Sequence, residues 1–223
     1  MKTLLIILTI LVAGYGLKTY HFSKNNINEL KKVTFEHQWT TFQKLGFTLN
    51  DGISKADFIA TFGSESDFEE DPWQGMYIAF GMEIDAEDYA PVTNKCWHFD
   101  MESINAPGDY VDILKNIGRI TNHELKFENI KDHVDIDNQQ AWVSFEMNGE
   151  AYKWDLKVDA DWADPALFYH VQKLTTKYKT SGRFTYYLLG QDFILGYESE
   201  SNFKKIRAQT DLALEWLDAE NQL

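Results

Sequence analysis

Cys96, His98, Asp100 and Glu102 fall at every second position of the stretch CWHFDME, residues 96–102. A thiol, an imidazole and two carboxylates at that spacing raise two chemistries. One is a Cys–His nucleophile and base, which needs a third group to orient the base. The other is a metal site of nitrogen and oxygen ligands, His98, Asp100 and Glu102. Side chains alternate along a strand, so all four polar residues share one face and Trp97, Phe99 and Met101 share the other. The apolar three form the natural core face. The polar four then face solvent or line a groove.

Neither chemistry is well served by the spacing. Cys96 and His98 lie roughly 6–7 Å apart at Cα on a strand, at a rise of about 3.3 Å per residue. A reactive thiolate needs electropositive surroundings. Residues 45–108, which hold Cys96, carry thirteen acids against Lys55 and Lys95, a net of -11. Three ligands spaced two apart on a flat strand splay, so a metal there needs ligands from elsewhere. Asp159, Asp161 and Asp164 open like a calcium loop, but position six is Asp164 where glycine is needed and position twelve is His170 where glutamate is needed. Asp164 before Pro165 reads better as a helix cap. The chain has no HExxH, GxGxxG, phosphate-binding or GxSxG motif, so nothing calls for a cofactor and the reading is a non-enzymatic binding protein; the alternative is a metal-binding envelope protein or metal-dependent hydrolase using His98, Asp100 and Glu102.

The charge points to a partner. The 223 residues sum to -14, yet residues 1–44 carry six lysines against Glu29 and Glu36, a net of +4. An acidic domain repels nucleic acid and draws basic proteins. Glu69, Glu70, Asp71, Glu83, Asp85, Glu87 and Asp88 are the candidate binding residues. A single cysteine excludes an intrachain disulfide and a multi-thiolate zinc site.

These residues need a scaffold, and the sequence outlines one. Residues 3–17, TLLIILTILVAGYGL, are apolar between Lys2 and Lys18. Fifteen residues suit a signal-peptide core and fall short of the roughly 20 of a spanning helix. Residues 1–20 are therefore a signal peptide or a membrane anchor, and the chain is exported or membrane-tethered. Lysines downstream favour a cytoplasmic domain for an anchor, whereas a signal peptide places it outside.

Residues 21–44 read as a polar linker passing into a juxtamembrane helix. Residues 45–223 read as one acidic α+β domain, its start falling near Phe35 or Leu45. Ser54 is an N-cap candidate before Phe58, Ile59 and Phe62. Glu65–Asp71 and Asp85–Asp88 read as acidic loops. GMYIAFGMEI reads as a strand or as a short helix started at Asp71-Pro72. Asp109 is a candidate N-cap for GDYVDILKNIGRI, and ELKFENI alternates like a strand. AWVSFEM and EAYKWDLKV flank Asn148-Gly149, the preferred pair of a type I′ hairpin turn. A helix follows Asp164-Pro165, then strands RFTYYLLG and FILGYES, helix SNFKKIRAQ and an apolar run, LALEWL. Antiparallel strands with helices between them imply an α+β fold with helices against the sheet.

Several segments together carry a resemblance: DPW (71–73), CWHFDMESI (96–104), GDY (108–110), DHVDI (132–136), WDLKVDADWADP (154–165), GRFTYY (182–187) and GQD (190–192). With them the chain resembles an uncharacterised bacterial protein family. The layout of hairpin, DWADP helix, RFTYY strand and GQD turn is similar to small acidic immunity proteins of polymorphic-toxin systems. That resemblance implies a protein that binds and blocks one toxin, many such toxins being basic nucleases. The apolar N-terminus departs from the pattern and suits a toxin acting at the membrane or in the envelope.

Overall fold

Aromatic side chains weld four short helices into the first layer of the fold. The computed structural model describes residues 32–84 and 89–218, so the apolar segment 3–17, most of the linker, and Asp85, Glu87 and Asp88 lie outside it. The helices are α1 (Phe35–Lys44), α2 (Lys55–Phe62), α3 (Glu65–Glu70) and α4 (Gln74–Gly81). None is long enough to stand alone in water. Phe35, Phe42, Phe58, Phe68 and Phe80 are buried among them. The compact unit begins at Thr34, so α1, read from sequence as a juxtamembrane element, belongs to the fold.

Local capping fixes two of these helices. Ser54 and Asp57 form the capping box that starts α2. Residues 65–70, expected as loop, are helical: the Asp67 carboxylate accepts from Ser64 N at 2.8 Å. Gln38, fully buried, holds the next turn. Its Nε2 donates to Phe68 O (2.8 Å) and its Oε1 accepts from Trp73 N (2.9 Å). Trp73 sits there at φ 74°, in the left-handed region. GMYIAFG is therefore a helix, the second of the two readings its sequence allows.

The central sheet has the order β3-β8-β7-β9, all antiparallel: β3 (Cys96–Asp100), β8 (Asp192–Glu198), β7 (Arg183–Leu188) and β9 (Glu215–Trp216). A two-stranded ribbon, β1 (Glu83–Ile84) and β2 (Ala90–Pro91), precedes it. Helix α4 packs on the face bearing Cys96 and His98. The approach is close: a Cβ on Gly81 would lie 2.9 Å from His98 N. The opposite face, Trp97, Phe99, Phe193, Leu195, Phe184 and Tyr186, joins the main core.

That core is shared with α5 (Asp109–Ile120), α6 (Ala166–Tyr178) and a three-stranded meander, β4 (Glu128–Asp135), β5 (Gln140–Met147) and β6 (Glu150–Leu156). The β5–β6 turn places Asn148 at φ 51° and Gly149 at φ 79°, as a type I′ turn requires. Helix α7 (Glu200–Thr210) is capped by Ser199, which accepts from Asn202 N. The α+β class expected from sequence holds. Among the described residues no helix is long and apolar enough to cross a membrane.

Asp109 does not cap α5. Its carboxylate accepts from Asn105 N (2.7 Å) and Ala106 N (2.8 Å), tightening the preceding turn. The cap is Asp132 of β4, whose carboxylate accepts from Gly108 N (2.9 Å), Tyr110 N (3.1 Å) and Val111 N (3.3 Å). Asp132→Ala leaves these backbone donors without their charged acceptor. It should cost about 1.5–3 kcal/mol. Urea unfolding should show a lower midpoint at unchanged slope.

Candidate functional site

The strand face of CWHFDME is divided by its cover. Cys96 is 1 % exposed, closed in under α4, so the expectation that the polar set faces solvent or lines a groove fails at its first member. Burial pushes the Cys96 thiol far up, and Arg119 and Lys95 only partly offset it. A thiol held protonated is neither nucleophile nor metal ligand. His98 is half-buried, and its Nε2 lies 3.3 Å from Asp192 Oδ2 across the β3–β8 pair. β3 stops at Asp100, so Glu102 leaves the strand face and bridges Trp162 instead. Gln191 Nε2 contacts both Asp100 (3.4 Å) and Glu102 (3.3 Å). His98 thus turns to Asp192, whereas Asp100 and Glu102 share Gln191. Among the described residues no three His, Cys, Asp or Glu side chains converge as metal ligands.

The other candidate residues are dispersed. Glu69 Oε1 accepts from Phe35 N (3.0 Å) and so helps to start α1. Glu70 and Asp71 are exposed at the end of α3, and Glu83 is exposed at the start of β1. Beside Glu83 an open groove of about 600 Å³ is lined by Met82, Tyr89, Trp97, His98 and Asp112. Tyr89 is 73 % exposed, more than any other large apolar side chain among the described residues.

A smaller cleft of about 220 Å³ opens where the core face of the central sheet runs past the start of α6. Its floor is Met101, Phe193 and Leu188, and Trp162, Asp164 and Pro165 form a wall. Leu188 continues the inward alternation of Phe184 and Tyr186 and yet is 52 % exposed. Backbone hydrogen bonds zip the rim: Met101 N donates to Gln191 O (3.3 Å), Ala163 N to Met101 O (2.8 Å) and Ile104 N to Asp161 O (2.8 Å). The cleft therefore joins the motifs CWHFDMESI, DADWADP and GQD. His98 lines the first groove and Asp192 the second, so their pair connects the two. Sequence reasoning passed over Met82, Tyr89, Trp162 and Leu188. Only the break in cover at Leu188, invisible to periodicity, distinguishes it from a core residue.

A third groove is polar. There Glu198, 2 % exposed, accepts from Lys95 Nζ (2.9 Å) and Asn202 Nδ2 (2.7 Å). Burial wins over both and pushes the Glu198 carboxyl up. Its other carboxylate is partnered as well: Glu124 accepts from Ser181 N and Tyr197 Oη.

Compared with known protein families, curated proteins and solved structures, the chain matches none.

Two outcomes test this site. A thiol reagent at pH 8 should leave native Cys96 unmodified and label it at the unfolding rate in urea; fast native labelling would contradict the burial. A raised Glu198 pKa means that the folded state holds the proton more tightly. Stability should then fall as pH rises from the ordinary glutamate value, about 4.3, through the raised one. Glu198→Gln should flatten that part of the stability–pH curve.

Proposed function

We propose that this is a non-enzymatic binding protein that holds a basic protein partner on its acid-rich surface, in the manner of an immunity protein. The observation that carries the reading is Tyr89, 73 % exposed in a groove with Met82 and beside Glu83. Interfaces concentrate their energy in such aromatic residues, with a charged rim that steers the encounter. Glu83 and Asp112 supply the acidic part of that rim, with Lys115 held by Asp112 at 2.8 Å, and the net charge of -14 selects a cationic partner. The apolar segment 3–17 favours a tethered or exported protein, and so a partner met at the membrane or in the envelope.

Affinity capture from the native host, at low and at high salt, tests the reading. One basic protein should be retained at low salt and released at high salt. Tyr89→Ser should weaken its binding at least tenfold, about 1.4 kcal/mol. Retention unaffected by salt and by Tyr89→Ser would contradict the reading.

A further inference from the structure

We propose that the cleft between Trp162 and Leu188 is an anchor pocket for one apolar side chain of a protein segment, with a lysine or arginine beside it in that segment. The inference rests on the binding reading above and adds the chemistry of what is held.

Size decides between a metabolite and a side chain. Small-molecule sites run to roughly 300–1,000 Å³. This cleft, at about 220 Å³, is smaller and suits a side chain. Its floor is apolar and already ordered, because Phe193 is paired within the central sheet and Met101, one residue past β3, is held by backbone bonds to Gln191 and Ala163. Leu188 and Trp162, 52 % and 39 % exposed, leave apolar surface in water that an incoming side chain would cover.

Charge decides what flanks that side chain. The lining residues include Asp159, Asp164 and Asp192 against Lys157 alone. Lys157 Nζ is already held by Asp159 Oδ2 at 2.8 Å. Asp100 and Glu102 gather at Gln191 on the same rim. A cation beside the anchored side chain meets this excess, whereas an acidic neighbour is repelled. A second copy of this chain is disfavoured by the same charge, since each copy carries -14.

The test uses the full chain and three capped pentapeptides, followed by calorimetry and by chemical shifts of Trp162 and Leu188. The probe is Ala-Lys-Phe-Lys-Ala. One control has glutamate for both lysines, and the other has serine for phenylalanine. The probe should bind, shift both residues, and weaken roughly tenfold in each control and in Leu188→Ser. Leu188 is half-exposed, so this variant should fold, and Trp162→Ser provides a second. Absence of probe binding, equal binding of the glutamate control, or equal binding to both variants overturns the anchor. So does a wild-type dimer that Leu188→Ser dissociates, which would give the cleft to a second copy. If host capture retains a salt-sensitive basic partner on wild type and Leu188→Ser alike, the anchor fails while the binding reading stands. If no such partner is retained but the probe binds as expected, the binding reading fails and the pocket remains.

Discussion

One carboxylate joins the two halves of the main core. Asp132 lies on β4, in the three-stranded meander, and takes the backbone donors at the start of α5. Tyr110, in the first turn of that helix, accepts from Asp164 N at 3.2 Å through its hydroxyl. Burial pushes the Tyr110 hydroxyl up to about 12, so it stays neutral in this position. Asp164 in turn accepts from Ala166 N (2.9 Å) and Lys157 N (2.7 Å), which starts α6 and closes the end of β6. A helix start attracts an anion through its free N–H groups and its dipole. Here the anion of α5 comes from a distant strand, so helix, meander and the wall of the Trp162 cleft are set by one chain of contacts.

Local rules carry far in this sequence. Asn148-Gly149 named its turn, Ser54 and Asp57 their box, and alternation the strands around Gly190-Gln191-Asp192, because each depends on residues a few positions apart. What fails is nonlocal. Asp109 is the first residue of α5, yet the cap comes from Asp132, 23 positions later in the sequence. Glu65–Glu70 looks too acidic for structure, but Asp67 caps it and Phe68 anchors it. Cys96 follows the strand rule and still is not exposed, because α4 covers that end of the face.

The same division applies to the site. His98, Asp100 and Glu102 are conspicuous by type, and the fold parts His98, which meets Asp192, from Asp100 and Glu102, which meet Gln191. Leu188 and Trp162 are unremarkable by type, and become distinctive only because both stay exposed along one cleft. Residue chemistry was legible in the sequence, whereas cover was not. In an acid-rich chain with plentiful aromatics, cover decides which side chains a partner can reach.

Helix α3 places Glu65, Asp67, Glu69 and Glu70 within six residues. Like charges on successive turns repel, and so short a helix has little cohesion of its own. Gln38 and Phe68 hold its shape from beneath. Order in this acidic strip is thus borrowed from the aromatic layer, and mutual repulsion acts against it. Screening by salt would relieve that repulsion, so this strip would tighten where most surface charge pairs weaken.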